Sequence, residues 1–156
     1  MEFYARDVMV SNFSSISANA SVRGAVEKIL NAKLRPSSFK TQSLMVTDEF
    51  GKLAGVVSIY DILFHFRPSI LQYGLDSIAE WQGRLKPFLK EFENKTVEQV
   101  MNFPVLTVSP DDHLMVVLDT MIKKKCRRLP VVEDDKLLGI VYQPEVFMKI
   151  FGSWEK

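Results

Sequence analysis

A hydroxyl and a carboxylate stand three residues apart at the end of one short apolar segment. In the stretch GVVSIYD, Ser58 follows the apolar residues and Asp61 comes three positions later. One role for such a pair is structural, because side-chain oxygens at the start of a helix accept hydrogen bonds from its free backbone N–H groups. The other role is binding, since a carboxylate accepts hydrogen bonds from ligand hydroxyls and a helix N-terminus favours an anion. The two roles can coexist, and the sequence leaves both open.

Two arginines form a second group that could bind a ligand. The run KKKCRR places five cations in the six positions 123–128. For residues 123–125 we favour a solvated helix C-terminus, where cations complement the helix dipole. Arg127 and Arg128 come directly before the strand-like segment LPVV. A guanidinium group can hold phosphate oxygens through two parallel hydrogen bonds, so these arginines are candidates for binding an anionic ligand.

The composition argues against several classes of protein. The chain has 156 residues, 47% of them hydrophobic, and a formal net charge of +1. This balance gives no strong field to attract nucleic acid or a membrane surface, and no apolar run approaches the ~18 residues that span a bilayer. The N-terminal segment has no basic region before a long apolar run, so we expect no signal peptide. Cys126 is the only cysteine, which fits a reducing compartment, and we expect a cytoplasmic protein.

The sequence contains two copies of one pattern. Residues 7–30 align with residues 99–122 at a constant offset of 92, which pairs Val8 with Val100 and Ile16 with Val108. Farther along, LMVTDEFGKLAGVVSIYDIL aligns with LPVVEDDKLLGIVYQPEVF at a smaller offset. The first copy therefore carries extra residues around RPSSFKT, and loops are where true repeats tolerate insertions.

Each copy predicts the same order of elements, β-α-β-β-α. A β-like segment, SSIS or VLTVS, precedes an amphipathic helix whose predicted N-cap is Ser21 in the first copy and Asp112 in the second. A hairpin follows, with its turn at TDEFGK or EDDK, and a short helix, DILFHF or EVFMKIF, closes the copy. The pattern predicts an α+β fold, which some schemes place in the α/β class, with repeats at residues 1–66 and 96–156.

The connector, residues 67–95, carries an interrupted helical stripe of apolar side chains. We expect one or two helices, packed on the repeats or on a second subunit. Gly74 and Pro87 are expected to break the helical pattern. Trp81 and Phe88 could mark a partner surface, although packing in the core is the simpler role.

In the order of these motifs, the chain resembles a tandem cystathionine-β-synthase (CBS) domain pair, also called a Bateman module. The motifs are DVM and QVM at the start of the copies, GKLAGVVSIYDIL in the first copy and RRLPVVEDDKLLGIV in the second. The resemblance covers both copies and leaves out the connector. It implies two β-α-β-β-α units packed in pseudo-two-fold fashion, clefts between them, and a homodimer of such pairs. It also implies a regulatory role, because many members bind adenosine-containing ligands in the clefts and report them to a partner.

The resemblance assigns roles to the candidate residues. In the family signature, Ser58 matches the small hydroxyl that contacts phosphate or ribose, and Asp61 matches the aspartate that anchors the ribose. In the family, residues from the opposite unit contact the phosphates of the ligand. Arg127 and Arg128 occupy the matching positions in this chain. The residues expected to form apolar walls for the adenine are Val56, Tyr60, Val105, Leu106 and Thr107.

The second copy departs from this signature. Tyr142 and Glu145 replace the hydroxyl and the aspartate of the first copy. A tyrosine is bulky where the family has a small side chain, and a glutamate would reach a ribose with poorer placement. The first-copy positions that match the two arginines are the uncharged Gln42 and Ser43. We therefore predict one competent cleft and a second, weak or empty cleft at Tyr142 and Glu145.

Other kinds of site find little support in the sequence. His65 and His113 are the only histidines and have no cysteine or histidine at ligand spacing, so we expect no structural zinc site. Cys126 lies among cations, which favour a thiolate, but we favour a structural role over redox sensing. No serine–histidine–acid set or paired carboxylates stand out, so we expect no enzyme and no required cofactor.

Two functions remain. In the first, the chain is a regulatory module that binds AMP, ADP, ATP or an S-adenosylmethionine-like molecule in one cleft and acts on an unidentified protein. In the second, it is a dimerising scaffold that binds no nucleotide. The two are separated by whether the hydroxyl, the carboxylate and the two arginines converge on one open cleft, or whether Tyr60 or Tyr142 plugs it.

Overall fold

The computed structural model describes residues 2–32, 42–67 and 78–154, which form the predicted α+β fold of two repeats. The elements of the first repeat are helix α1 (Ala5–Val8), strand β1 (Ser15–Ser17), helix α2 (Val22–Leu30), strands β2 (Ser43–Thr47) and β3 (Leu53–Ser58), and helix α3 (Ile59–Phe66). The connector contains a 3₁₀ turn (Ile78–Trp81) and helix α4 (Leu85–Phe92). The elements of the second repeat are helices α5 (Val97–Val100) and α6 (Leu114–Lys124), strands β4 (Arg128–Glu133) and β5 (Lys136–Tyr142), helix α7 (Gln143–Phe151) and a 3₁₀ turn (Gly152–Trp154). The predicted insertion around RPSSFKT and the predicted break at Gly74 lie outside the described residues.

The first repeat forms a three-stranded sheet in the order β1-β2-β3. Strand β1 pairs in parallel with β2, and β2 pairs antiparallel with β3, so that Ser43 lies opposite Ser58. The hairpin turn is held by Asp48, whose Oδ1 accepts 2.9 Å hydrogen bonds from two backbone N–H groups of the turn. Gly51 supplies the left-handed residue, with φ at 78°. The predicted hairpin and its turn residues are thus confirmed.

The second repeat has a two-stranded sheet, β4-β5, and lacks one predicted strand. Of the segment VLTVS, only Val108 pairs, through a single parallel bridge to Val131. The strand prediction was wrong because Val105 and Leu106 line a cleft between the repeats instead of running along β4. The second repeat therefore starts with an irregular segment where the first has a strand.

The N-caps of the two long helices differ in how well the sequence predicted them. Ser21 caps α2, and its hydroxyl accepts a 3.1 Å hydrogen bond from the third helical N–H group. Asp112 does not cap α6, because its carboxylate accepts instead from the backbone of Ser109 at 2.9 Å. The cap of α6 is His113, whose Nδ1 accepts a 3.0 Å hydrogen bond from the N–H of Met115.

The opening helix of each repeat packs in the hydrophobic core of the other repeat. Ala5 and Val8 of α1 are buried in the second repeat, whereas Val97 and Val100 of α5 are buried in the first. The residues buried around α1 include Leu114, Val117, Met121, Leu129, Val131 and Val141. The residues buried around α5 include Ile16, Val22, Leu44, Val46, Val57 and Phe92. Each core is therefore built from both halves of the chain.

Two glycines allow the opening segments to lie directly on the opposite sheets. A Cβ atom on Gly55 would lie 2.8 Å from the carbonyl oxygen of Asn102, and one on Gly139 would lie 3.0 Å from that of Val10. Short antiparallel bridges form beside them, between Val56 and Asn102 and between Val10 and Ile140. Val10 and Asn102 occupy equivalent positions in the two repeats, at the offset of 92. The two contacts are therefore related by the predicted pseudo-two-fold symmetry.

A third apolar cluster lies between the two sheets. Its buried members are Met45 and Val56 of the first repeat and Ile140 and Tyr142 of the second. Since each of these strands also presents its other face to a helix-covered core, side chains of both faces are apolar. The repeats thus face each other through their sheets.

The connector packs on the first repeat through aromatic rings. Phe88 lies 5.0 Å from Phe66 and 4.9 Å from Trp81, and Phe92 lies 5.1 Å from Phe66, measured between ring centroids. Trp81 and Phe88 are half-buried in these contacts, so their role in the core or at a partner surface stays a prediction. Pro87 does not break the helix, because it is the third residue of α4, where a backbone N–H has no partner within the helix.

Candidate functional site

A cleft with a volume of about 500 Å³ lies between the two repeats. That volume is within the range typical of small-molecule sites. The predicted site residues that line it are Val56, Ser58, Tyr60, Asp61, Val105, Leu106, Arg127 and Arg128. Thr107 does not line it and is exposed, and Tyr142 and Glu145 lie elsewhere. The cleft also exposes side chains that the sequence did not single out, among them Asn102 and Lys125.

Ser58 and Asp61 form a capping box at the start of α3. The Ser58 hydroxyl accepts a hydrogen bond from the N–H of Asp61 at 3.3 Å, and Asp61 Oδ2 accepts from the N–H of Ser58 at 2.8 Å. The same Oδ2 also accepts from the Ser58 hydroxyl at 2.8 Å. The helix-capping role of Ser58 and Asp61, which the sequence left open, is therefore present in the structure. It fixes both side chains at the floor of the cleft, where they are 8% and 7% exposed.

The carboxylate of Asp61 also contacts the second repeat. Its Oδ1 accepts a 2.8 Å hydrogen bond from the side-chain amide of Asn102, which follows helix α5. The backbone of Asn102 is held beside the cleft by two hydrogen bonds with Val56, at 2.8 and 3.1 Å. The acidic floor of the cleft is thus shared between the repeats.

The second repeat contributes three cations to the lining. Arg127 is exposed and Arg128 is half-buried at the start of β4. Lys125 joins them because α6 ends at this residue in the left-handed conformation, with φ at 54°, which turns the chain towards the cleft. The start of α7 holds this turn: the N–H of Gln143 donates to Arg127 O at 3.1 Å and its side chain donates to Cys126 O at 2.9 Å. The lining therefore combines three cations with one carboxylate.

Apolar side chains complete the lining of the cleft. Val56, Val105 and Leu106 form part of the lining, together with Pro104. Tyr60 lies at the mouth, where it is 73% exposed and its ring stacks on Phe64 at 6.2 Å between centroids. Tyr60 therefore does not plug the cleft.

Tyr142 and Glu145 have a different environment. Tyr142 is 4% exposed and belongs to the apolar cluster between the sheets, opposite Arg128 in the β4-β5 register. Glu145 is buried in the first turn of α7. The bulk of Tyr142 is thus used for packing. A second, weaker cleft at these residues stays a prediction.

Two residues that line the cleft, Asn102 and Lys125, are not predicted as ligand contacts by the sequence. Asn102 was detectable in principle, because the repeat offset pairs it with Val10 and so marks an amide where the other copy has an apolar residue. Lys125 was assigned only to a solvated helix end, and nothing local indicates that the chain turns left-handed there.

Two kinds of feature are absent from residues 2–32, 42–67 and 78–154. No helix in these ranges is long and apolar enough to cross a bilayer. No group of three or more histidine, cysteine, aspartate or glutamate side chains in the same ranges could hold a metal ion.

Comparison with known proteins gives consistent matches. A protein-family model described as "CBS domain" matches residues 5–67 and 97–152. An uncharacterised protein of Methanocaldococcus jannaschii is 25% identical over 148 residues, which make up 95% of this chain and 42% of that relative. The chain thus spans less than half the length of this relative.

Three solved structures share the fold. The structure of CBSX2 in complex with AMP matches with a TM-score of 0.70 and 24% identity, covering 98% of this chain and 99% of the other. The CBS domain of a membrane protein from Sphaerobacter thermophilus has a TM-score of 0.71 and 21% identity, over 94% and 86% of the two chains. The structure of the same Methanocaldococcus jannaschii relative, described there as a putative archaeal homologue of g-AMPK, has a TM-score of 0.72 and 18% identity, over 94% and 47% of the two chains.

Proposed function

The chain belongs to the CBS-domain family, and from that premise we propose that it is a regulatory module that binds an adenosine-containing nucleotide between its repeats. AMP, ADP, ATP and S-adenosylmethionine-like molecules share the adenosine group that this proposal concerns. Binding would act on a protein that is still to be identified. The module would work by binding and would have neither enzymatic activity nor a required cofactor.

The observation that carries the proposal is the convergence of three chemistries on one cleft. Asp61 offers a carboxylate for the ribose, and Val56, Val105 and Leu106 offer apolar surface for the base. From the second repeat, Arg127 and Arg128 offer guanidinium groups for phosphates, and Lys125 adds a third positive charge. Because the Ser58 hydroxyl already donates to Asp61, we assign the phosphates to the cations and the ribose end to Asp61.

The proposal is supported by a neighbour whose structure contains AMP. CBSX2 in complex with AMP shares the fold over nearly the whole of both chains. The identity of 24% is low, so the likeness supports a nucleotide of this class without identifying which one.

We assign the ligand to one cleft. The place of Ser58 in the first repeat is taken by Tyr142 in the second, and Tyr142 is packed between the sheets. A phenol ring in that position leaves less room than a serine hydroxyl. We therefore expect a stoichiometry near one nucleotide per chain.

The proposal includes a homodimer, formed through the helices of the second repeat. Helices α6 and α7 enclose an apolar groove of about 810 Å³ on the protein surface. The large apolar side chains that remain exposed there are Met115, Ile122, Phe147, Met148 and Phe151, and Trp154 lies beside them. Burial of such a surface against a second copy would remove it from water.

A cytoplasmic location, which the single cysteine suggested, remains part of the proposal.

A scaffold that binds no nucleotide is the second candidate function. It is favoured by the hydrogen bonds that Asp61 already accepts from Ser58 and Asn102, which satisfy the carboxylate without a ligand. The open cleft and its three cations favour the nucleotide, since packing alone does not require either.

Calorimetric titration with AMP, ADP, ATP, S-adenosylmethionine and NAD decides between these functions. Thermal unfolding gives a second readout. A ligand at 100 times its dissociation constant should stabilise the fold by about 2.7 kcal/mol, which raises the melting temperature by several degrees. Asp61→Ala should abolish this binding, whereas Asp48→Ala, which removes a turn carboxylate outside the cleft, should not. Unchanged affinity in Asp61→Ala would refute the assignment, and no binding of any compound by the wild type would favour the scaffold.

A further inference from the structure

The hydrogen bonds around Asp61 limit what its carboxylate can still accept. A carboxylate has about four lone-pair sites, two on each oxygen. Oδ2 accepts from both the N–H and the hydroxyl of Ser58, and Oδ1 accepts from the amide of Asn102, each at 2.8 Å. Counting bonds from the described residues, one site on Oδ1 remains. A ribose presents two neighbouring hydroxyls, so a carboxylate that anchors both needs two open sites.

Of the donors that occupy Asp61, Asn102 is the easiest to displace. The Ser58 N–H donates to Asp61 as one half of the capping box of α3, and the Ser58 hydroxyl is held in place by the other half, so the loss of either donor would disturb the start of that helix. The side chain of Asn102 is exposed and makes its bond across the gap between the repeats. Its backbone stays fixed by Val56, so the amide can turn away without moving the chain.

We propose that the amide of Asn102 is a built-in competitor of the ligand ribose for Asp61, and that the affinity of the cleft is set by displacing it. This inference rests on the proposed nucleotide function and adds the residue that tunes it. In the free protein, the Asn102 amide holds the two repeats together across the cleft at Asp61. In the bound protein, a ribose hydroxyl takes its place on Oδ1.

The first repeat has no amide at the position that matches Asn102. Val10, the residue that matches Asn102 in the first repeat, lies beside Ile140 and cannot donate a side-chain hydrogen bond. The amide is therefore found only where the serine and aspartate of the binding signature are also found. This coincidence favours a role at the ligand site over a general role in holding the repeats together.

The test is calorimetric titration of AMP into the wild type and into Asn102→Ala and Asn102→Val, the second of which installs the residue of the other repeat. Removal of the competing bond should tighten AMP binding about tenfold, the factor that corresponds to a hydrogen bond to a charged group. Asn31→Ala is the matched control, because the Asn31 amide donates to Glu27 O at the end of α2, away from the cleft. It should leave the affinity unchanged.

A ¹⁵N–¹H spectrum gives a second readout on the unmodified protein. The side-chain amide signal of Asn102, assigned by its absence in Asn102→Ala, should move on saturation with AMP as it loses the carboxylate. The amide of Asn31 should stay in place.

The outcomes separate this inference from the proposed function. The inference is supported if the variants bind AMP more tightly than the wild type does. It is also supported if the variants bind AMP and the wild type does not. If the wild type binds AMP and the variants bind it equally or more weakly, the inference is overturned and the proposed function stands. If neither the wild type nor the variants bind any adenosine compound, both are overturned.

Discussion

Gly55 and Gly139 occupy equivalent places in the two repeats, and each lies directly under the opening segment of the other repeat. At Gly55 the nearest atoms to an added Cβ would be Met101 Sδ at 2.6 Å and Asn102 O at 2.8 Å. At Gly139 the corresponding distances, to Met9 Sδ and Val10 O, are both 3.0 Å. The first contact is the tighter of the two, and its closest rigid neighbour is backbone.

This difference predicts unequal effects of two identical substitutions. Gly55→Ala should lower the free energy of unfolding by about 1–3 kcal/mol, because the methyl group must push the backbone of Asn102 away. Gly139→Ala should lower it less, since a shift of a few tenths of an ångström relieves its contacts. Urea unfolding followed by circular dichroism measures both.

Gly152→Ala is the control for these two variants. An added Cβ there meets nothing within 4 Å, and the residue has an ordinary helical backbone. Its stability should stay within about 0.5 kcal/mol of the wild type. An effect of Gly55→Ala no larger than that of Gly152→Ala would contradict the close packing described for the opening segments.

A second prediction concerns the cations of the cleft. If Arg127 contacts phosphate, Arg127→Ala should weaken ATP and ADP binding about tenfold, with a smaller effect on AMP and none on adenosine. The loss should shrink as the salt concentration rises, because ions screen an exposed charge. Calorimetric titrations with the four ligands at two salt concentrations measure the effect.

Lys123→Ala is the matched control for the arginine. Lys123 belongs to the same basic run, but its Nζ pairs with Asp119 at 3.0 Å on α6 and it does not line the cleft. Its removal should change no affinity. An equal loss for all ligands, adenosine included, would assign Arg127 to something other than the phosphates.

The third prediction concerns the apolar face of α6 and α7. Phe147→Asp should convert a homodimer to a monomer, because it places a charge in the surface that the second copy would cover. Phe147 is 65% exposed in the single chain, so the substitution should leave the fold intact. Light scattering after size-exclusion chromatography measures the mass.

Leu85→Asp makes the comparison specific to that face. Leu85 is 62% exposed on α4, which lies in the connector and outside the groove. It should remain a dimer. A wild type that is monomeric at micromolar concentration, or a Leu85→Asp variant that is also monomeric, would argue against dimerisation through the second repeat.

The parts of this protein that the sequence predicted are those that depend on neighbours along the chain. The periodicity of α2, its cap at Ser21 and the turn at Gly51 each follow from a few consecutive residues. The repeat offset extended that local information, because two matching copies predicted the same order of elements, which the structure contains except for the first strand of the second repeat.

What the sequence did not predict depends on contacts between the copies. The role of Asn102 depends on its hydrogen bond to Asp61, which lies 41 positions earlier in the chain, and no local sequence pattern links the two residues. The sequence predicts a strand at Val105 and Leu106 because these residue types suit one, but both residues line the cleft instead. The cap at His113 is a local exception, because the sequence favours the neighbouring aspartate, which is a commoner capping residue.

The exchange of opening helices has a consequence for how the chain is made. When synthesis has proceeded only as far as residue 66, the first core still lacks Phe92, Val97 and Val100, and α1 has no second repeat to pack against. Neither half can complete its interior alone, so synthesis of the second half is needed to finish the first. By the same reasoning, two separate polypeptides cut within the connector should acquire native structure only when mixed. We therefore expect the two copies to fold as one cooperative unit despite the duplicated sequence.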